Sequence, residues 1–321
     1  MRVLLTGGSG FVGLALTEAL EAAGARVTNY SPAPPPAWAP QGAHIPGDVR
    51  DRQALDAAMR ATRAEAVVHA AALTPDAAME RDGDAAAVVA VNVGGAANVV
   101  EAAAAAGVRR VMALSSVAVY GRTADEVAAL DEAETFCAPA SLYAVTKFAA
   151  ERIALRLGAL RGVEVVAPRL GAAWGPWEHR TSARGAPSPA FQIVERMRRG
   201  EAVILPGPAR APLVWAPDAA AAMARLLAAP GAAGQVVNVG VADSVALSDL
   251  AALVGQRHPA AVATTGAPNI VLLAANRPPM RLGRLTGLIG APPATALPAA
   301  VDAYLDWLDA LPDPRAPFAA A

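Results

Sequence analysis

A tyrosine and a lysine stand four residues apart in the segment YAVTK, as Tyr143 and Lys147. On a helix this spacing places both side chains on one face. A neighbouring ammonium favours the phenolate form of tyrosine and lowers its pKa from about 10, so that the phenol can exchange protons near neutral pH. Ser116 adds a hydroxyl group at the end of a predicted strand. Together the three residues predict acid–base chemistry on a substrate hydroxyl or carbonyl group.

A glycine pattern, Gly7-x-x-Gly10-x-x-Gly13, follows the first apolar run and opens a segment of helical period. Glycines here let the backbone approach a pyrophosphate, whose charge is stabilised by free amides and the helix dipole. The pattern therefore predicts a bound dinucleotide. The carboxylate that usually binds the adenosine ribose, about 20 residues further on, is missing, because the second strand ends in Asn29-Tyr30-Ser31. No arginine suited to a 2′-phosphate replaces it, so NAD is favoured and NADP is the alternative.

Short apolar runs alternate with segments of helical period along residues 1–170. Strands are predicted at 3–5, 27–30, 44–45, 66–69, 110–114 and 163–168, and helices at 14–20, 53–61, 92–106 and 141–157. Such alternation is typical of a parallel sheet covered by helices on both faces. We therefore predict a doubly wound α/β domain over 1–170.

Beyond residue 170 the sequence becomes rich in Gly, Pro, Trp and Arg. Helices are predicted at 191–199, 218–228, 248–253 and 297–311, and strands at 203–205 and 236–239. We expect 171–311 to form mainly a smaller substrate-binding lobe, with some elements returning to the sheet. The proline-rich tail, 312–321, is expected to be poorly ordered.

The composition of the 321 residues excludes several classes of protein. Hydrophobic residues make up 55% and charged residues 17%, which is incompatible with a disordered chain. The formal charge of −1 gives no basic field for nucleic acid. The single cysteine, Cys137, excludes a disulfide framework and a multi-thiolate metal site, so we expect no metal and a cytoplasmic location. No run of 18 apolar residues occurs, so no membrane span is expected.

Seven segments together resemble the extended short-chain dehydrogenases/reductases, often labelled the NAD-dependent epimerase/dehydratase family. They are TGGSGFVG at 6–13, GDVRD at 47–51, VVHAAA at 67–72, VNVGGAANVVEA at 91–102, LSSVAVYG at 114–121, YAVTK at 143–147 and VVNVG at 236–240. The resemblance covers nearly the whole chain. It implies a Rossmann-type sheet and hydride transfer between NAD and a hydroxyl or carbonyl carbon.

The resemblance also implies roles for individual residues. Ser116 would hydrogen-bond the reacting oxygen, Tyr143 would act as general acid and base, and Lys147 would bind the nicotinamide ribose and tune Tyr143. The residues implied to bind the cofactor are Gly7, Gly10, Phe11, Val12, Gly13, Ser31, Asp48, Val49, Ala70, Ala71, Ala72, Asn92, Tyr143, Lys147 and Pro168. A homodimer through the helices predicted at 92–106 and 141–157 is implied as well.

The substrate is less sharply defined. Members that act on nucleotide sugars usually carry an Asn where this chain has Ala172, and a phosphate-binding Arg that is displaced here by one residue, to Arg210. Aromatic side chains could enclose a smaller sugar-like compound, with Arg184 or His179 on an anion; the alternative is that the tryptophans are packing residues. The candidate substrate-binding residues are Thr74, Ser116, Trp174, Trp177, His179, Arg184, Arg210, Trp215 and Arg277.

These patterns predict an NAD(P)-dependent oxidoreductase of a sugar-like small molecule. The first alternative is a redox-neutral epimerase or dehydratase of a nucleotide sugar, in which tightly bound NAD is reduced and reoxidised within one turnover. The second is a non-catalytic NAD(P)-sensing protein, against which the intact Ser116, Tyr143 and Lys147 argue.

Overall fold

The computed structural model describes residues 1–272 and 277–319. Its strands are β1 (Arg2–Thr6), β2 (Arg26–Ser31), β3 (Ala43–Pro46), β4 (Ala66–His69), β5 (Arg110–Ala113), β6 (Ser115–Ser116), β7 (Glu164–Leu170), β8 (Ala172–Trp174), β9 (Val203–Ile204), β10 (Arg210–Ala211), β11 (Leu213–Trp215), β12 (Val236–Val239), β13 (Val245–Ala246) and β14 (Val262–Ala263). Its α-helices are α1 (Phe11–Ala22), α2 (Arg52–Thr62), α3 (Ala77–Asp82), α4 (Ala85–Val89), α5 (Gly95–Ala105), α6 (Leu142–Arg161), α7 (Pro189–Arg198), α8 (Ala216–Ala228), α9 (Leu247–Gly255), α10 (Gly283–Ile289) and α11 (Leu297–Ala310).

The main sheet has the strand order β12-β7-β5-β4-β1-β2-β3, with the short β6 also paired to β7. Every pairing within this sheet is parallel. The order reverses between β1 and β4, and in doubly wound sheets a ligand binds outside the carboxyl ends of the strands at such a reversal. The structure therefore confirms the predicted α/β fold, and the reversal marks where a cofactor is expected.

Helices cover both faces of the sheet because successive residues of its strands point to opposite sides. Leu5 of β1 lies in one apolar cluster with residues of α1 and α8. Its neighbour Leu4 lies in another, with residues of α2, α5 and α6. Both leucines are fully buried, which explains why the strands read as continuous apolar runs.

The helix predicted at 92–106 begins earlier than expected. Helical structure starts with α4 at Ala85, where the side chain of Asp84 accepts a hydrogen bond from the Ala87 amide, and it continues through a wide π-helical turn, Ala90–Gly94, into α5. The stretch Ala85–Ala105 is, by length and composition, the single helix of the described residues that could cross a membrane; 39% of its most apolar window is buried in the protein. Through α5 it packs on α2 and α6.

The second lobe has its own apolar core, which includes residues of α7, α9 and α11. Short strand pairs β8–β11, β10–β13 and β9–β14 accompany it, whereas β12 joins the main sheet. A boundary at residue 170 remains a proposal.

The tail differs from the prediction of poor order. Residues 316–318 form a 3₁₀ turn, and the ring of Phe318 packs 4.8 Å from that of Phe191. The amide of Arg180 donates to the carbonyl oxygen of Pro317 at 3.2 Å. The prolines limit the conformations of the segment, and one buried aromatic side chain anchors it. Residues 320–321 lie outside the described part.

Candidate active site

Helix α6 carries the predicted catalytic pair. The hydroxyl of Ser141 caps the helix by accepting a hydrogen bond from the Ala144 amide at 3.2 Å, which fixes the helix start at Leu142, one residue before Tyr143. Tyr143, Lys147 and Glu151 then follow at intervals of four along one face. Ser116 ends β6, at the carboxyl edge of the sheet beside α6.

The phenol of Tyr143 faces hydroxyl groups and one guanidinium. Burial raises its pKa, whereas hydrogen bonding to Ser116, the charge of Arg184 and hydrogen bonding to Thr74 lower it. The structure thus brings Ser116, Thr74 and Arg184 together around Tyr143. The expectation that Lys147 lowers the pKa of the phenol was wrong for this structure, because burial dominates and the cation that acts on the phenol is Arg184.

Lys147 is buried one helical turn from Tyr143. Burial lowers its pKa from the usual 10.5 to about 8, and the negative charge of Glu151 opposes this change. Glu151 is held in turn by Arg169, whose Nη2 and Nε contact the two carboxylate oxygens at 2.8 and 2.9 Å, and by the hydroxyl of Ser115 at 2.7 Å. A buried ion pair therefore sets the electrostatic environment of the ammonium.

His69, at the end of β4, is a further buried titratable residue on which the charge of Lys147 acts. Its Nδ1 is 2.7 Å from the hydroxyl of Thr6. Burial, followed by the charge of Lys147, lowers the pKa of His69 from 6.5 to about 3. The ring is therefore neutral at physiological pH and has a hydrogen-bond partner, which suits a packing residue better than a general base.

The glycine bend fits a dinucleotide. Gly7 has φ of 74°, and a Cβ atom there would lie 2.6 Å from the Ala71 amide nitrogen. A Cβ at Gly13 would overlap the carbonyl oxygen of Gly7. Helix α1 begins at Phe11 after Gly10 without a side-chain cap. The amides of its first turn, those of Phe11 and Val12 included, are thus available for a pyrophosphate.

Hydroxyl and amide groups replace a carboxylate at the end of β2. The hydroxyl of Ser31 donates to Oδ1 of Asn29 at 2.7 Å, and Nδ2 of Asn29 donates to the hydroxyl of Ser9 at 2.8 Å. Ser9 in turn donates to the carbonyl oxygen of Ala33 at 2.7 Å. This network joins the glycine bend to the strand end where the adenosine ribose is expected.

The next predicted cofactor residues lie on the loops after β3 and β4. The carboxylate of Asp48 pairs with Arg50 at 2.6 Å, a hydrogen bond that holds the pKa of Asp48 below its usual value. Val49 is buried against Gly95. Ala70, Ala71 and Ala72 follow β4 directly and are partly buried.

Asn92 and Pro168 have structural partners. The Asn92 amide group bonds the amide and carbonyl of Leu73 at 2.8 and 2.9 Å and the hydroxyl of Thr146 at 3.0 Å. It lies in the π-helical turn and ties the loop after β4 to α6, so it does not cap a helix. Pro168 lies inside β7, opposite Val237 of β12.

A loop from the second lobe pairs with the loop after β4. Thr74 donates from its amide to the carbonyl of Ala183 at 2.7 Å and accepts from the amide of Gly185 at 2.9 Å. This pairing places Arg184 with its guanidinium 5.6 Å from the centre of the Phe11 ring. Nη1 of Arg184 contacts Oε1 of the buried Glu178 at 2.9 Å.

Four other substrate candidates pack among aromatic side chains. Trp174 and Trp215 pack against each other, 4.9 Å between ring centroids, in the core of the second lobe. Trp177 and His179 belong to an aromatic cluster with Trp38. For these four residues the structure supports the packing alternative.

The two remaining arginine candidates have other partners in the structure. Arg210 is exposed on β10 and hydrogen-bonds the carbonyl of Ser244. Burial lowers the pKa of the partly buried Arg277, whose nearest charge of note is Asp125.

Sequence reasoning missed two buried carboxylates, Glu151 and Glu178. Helical spacing from Lys147 could have found Glu151, whereas Glu178 lies in a segment without periodicity. The composition held another signal: Lys147 is the only lysine in a chain with 26 arginines. Cys137 is partly buried, and burial raises the pKa of its thiol. No cluster of three or more potential metal ligands occurs within 1–272 and 277–319.

Comparison with known proteins identifies the family. The model of the NAD dependent epimerase/dehydratase family matches residues 3–240. The chain belongs to this family. Membership confirms the resemblance inferred from the motifs, and it confirms NAD as the cofactor.

Individual relatives agree with this assignment. Sterol demethylase protein B of Methylococcus capsulatus is 31% identical over 188 residues, 58% of this chain, and the chain spans 55% of that protein's length. The enzyme WbmG of Bordetella bronchiseptica, solved with NAD and UDP, is 25% identical, with a TM-score of 0.75 over 96% of this chain and 95% of the other. The fold of epimerase Mth375 from Methanothermobacter thermautotrophicus is also similar, with a TM-score of 0.82 and 21% identity over 96% and 92% of the two chains.

Proposed function

We propose that this protein transfers hydride between NAD and a hydroxyl-bearing or carbonyl carbon of a sugar-like small molecule. The observation that carries the proposal is that Ser116, at the end of β6, lies on a strand in contact with α6, which carries Tyr143 and, one turn later, the buried Lys147. This group of side chains can hold a substrate oxygen and exchange its proton. The glycine bend, at the carboxyl edge of the same sheet, has the shape that a dinucleotide requires.

Each side chain has a distinct task. Tyr143 accepts the proton of the substrate hydroxyl during oxidation and returns it during reduction. Ser116 and Thr74, which lower the pKa of the phenol, orient the substrate oxygen. The amides at the start of α1 would hold the pyrophosphate, and Lys147 the nicotinamide ribose. NAD supplies the carbon that accepts or returns the hydride, so the protein contributes position and proton transfer.

A redox-neutral epimerase or dehydratase is the second candidate. The family is named for these reactions, and WbmG, which has the same fold, was solved with NAD and UDP. The absence of the usual Asn at Ala172 and the exposure of Arg210 weaken the case for a nucleotide sugar, so we place net oxidation or reduction first.

A homodimer through α5 and α6 is also proposed. Val89 on α4 and Val145 on α6 are large apolar side chains that lie exposed in the single chain. A second copy could cover both, because α4 and α6 are in contact.

Turnover of a panel of free sugars, sugar acids and nucleotide sugars tests the activity. Appearance of NADH in the near ultraviolet indicates net oxidation, and an altered sugar without NADH indicates the redox-neutral reaction.

Tyr143→Phe should lower turnover of either kind by about 10²- to 10⁴-fold while NAD still binds. Tyr304→Phe is the matched control, because its buried hydroxyl has no hydrogen-bond partner within the described residues. Unchanged turnover in Tyr143→Phe would refute the proposal.

A further inference from the structure

Arg184 is the cation of the second lobe that acts on the reacting centre. Its guanidinium lies over Phe11, which begins the helix behind the glycine bend, and its charge reaches the phenol of Tyr143. The backbone pairing of residues 183 and 185 with Thr74 fixes the loop at this place. Thr74, which pairs with the loop of Arg184, also acts on the phenol of Tyr143, so the loop of Arg184 and the phenol meet at the same residue.

Glu178 holds Arg184 without enclosing it. The carboxylate is completely buried, and it also accepts hydrogen bonds from the amide and hydroxyl of Ser188 at 2.6 and 2.7 Å. Its contact with Arg184 is a single one, Nη1 to Oε1 at 2.9 Å, and 24% of the arginine side chain stays exposed. A guanidinium has five N–H donors, so most of them remain available for a ligand.

The second buried arginine–glutamate pair of the site provides a comparison within the molecule. Arg169 meets Glu151 with two nitrogens, and only 4% of its side chain is exposed. Both side chains of that pair are buried, and the guanidinium is not exposed to a ligand. The pair of Arg184 and Glu178 has a buried acid and an open guanidinium, which is the arrangement expected of a cation that a counter-ion positions for a ligand.

We propose that Arg184, positioned by Glu178, forms a subsite for an oxyanion of the substrate, a carboxylate or a phosphate close to the reacting carbon. The inference rests on the proposed function, since Tyr143 defines where the reacting carbon lies. It narrows the substrate class to acidic sugar-like compounds.

Anion binding to the NAD-loaded protein tests the subsite directly, with inorganic phosphate as the probe in isothermal titration calorimetry. Arg184→Gln should weaken phosphate binding by about 10- to 100-fold, the range of a hydrogen bond to a charged group. Arg184→Lys, which keeps the charge without the planar fork, should restore part of the affinity. Arg180→Gln is the matched control, because Arg180 lies in the same loop but pairs with Glu195; its affinity should equal that of the wild type.

Two pairs of compounds separate the sources of the anion. Glucuronate has a carboxylate where glucose has a hydroxymethyl group, and the same difference separates UDP-glucuronate from UDP-glucose. A loss of affinity in Arg184→Gln that is limited to the two glucuronates assigns the subsite to a carboxylate. A loss limited to the two UDP compounds assigns it to a phosphate.

Three results would overturn the subsite: equal phosphate binding in Arg184→Gln and the wild type, no saturable binding of phosphate or any acidic compound by the wild type, or a loss confined to NAD affinity. These outcomes differ from failure of the proposed function. If Tyr143→Phe loses turnover and Arg184→Gln binds anions normally, the function stands and the subsite falls. If Tyr143→Phe keeps turnover and Arg184→Gln loses phosphate binding, the function falls.

Discussion

Replacing Lys147 by methionine should make the folded protein more stable while it removes activity. The ammonium is buried, and its pKa falls from 10.5 to about 8 on folding, which corresponds to a cost of about 3 kcal/mol at pH 7. Methionine fills a similar volume without a charge. Because Glu151 loses a favourable neighbour, we expect the free energy of unfolding to rise by about 2 to 3 kcal/mol.

The stability gained by Lys147→Met should decrease as the pH rises. Below pH 8 both folded and unfolded wild type carry the proton, so the full cost of burying the charge is present. Between pH 8 and 10.5 the folded state releases its proton while the unfolded state keeps it, so wild-type stability rises with pH. The advantage of Lys147→Met should therefore fall to less than about 1 kcal/mol at pH 10.

Urea unfolding of the NAD-free protein at pH 7, 8, 9 and 10 measures this difference. Arg156→Met, an exposed position on the same helix, is the control and should change stability by less than about 0.5 kcal/mol at every pH. Since Lys147 is the only lysine of the chain, isotope-labelled lysine gives one side-chain signal, and its titration reports the pKa directly. A midpoint near 10.5, or a stability gain that stays constant from pH 7 to 10, would refute the reasoning.

Three further predictions concern stability and cofactor binding. Burial lowers the pKa of His69 to about 3, so the unfolded state binds a proton first and the stability of the wild type should fall as the pH drops from 6.5 towards 3. The urea midpoint of His69→Asn should depend less on pH over that range, and equal slopes for the two proteins would contradict this. Gly13→Ala should abolish NAD binding in calorimetry because its Cβ overlaps the bend, whereas Gly94→Ala, with open space around it, should bind NAD normally; binding by both would contradict the fit. Phe318→Ala should destabilise the protein by about 3 kcal/mol through lost packing on Phe191, and an unchanged thermal midpoint would show that the tail is not anchored.

The features that could be predicted from the sequence are those that a short stretch of residues determines by itself. Short apolar runs predicted the strands of the parallel sheet because those strands are buried on both faces. The helix predicted at 53–61 is preceded by Asp51, a residue type that often caps helices, and the Asp51 carboxylate accepts from the Ala54 amide at 2.9 Å. The glycine pattern and the spacing of Tyr143 and Lys147 are likewise local patterns. The strand order then indicates the edge of the sheet at which the elements that carry them end.

Features that depend on distant partners could not be predicted. Trp174 and Trp215 follow glycine- and proline-rich segments typical of binding loops, yet Tyr304 of the last long helix completes their cluster. Glu178 has the sequence surroundings of a surface residue, and only the fold shows that it is buried beside Arg184. An early helix start was equally hidden, because the alanines after Asp84 have no period of their own.

The ratio of 26 arginines to one lysine bears on why the site needs Lys147. Where this protein requires a fixed positive charge, it uses arginine, as at Arg169, whose planar fork matches both oxygens of Glu151. Arginine keeps its proton in all protein environments, whereas the ammonium of Lys147 can reach a pKa of about 8 by burial. We infer that the site uses lysine at position 147, despite the cost in stability, because its ammonium is compact and burial can lower its pKa. Lys147→Arg should therefore retain a charge and still lose activity, because a bulkier guanidinium with a high pKa cannot replace an ammonium in this buried position.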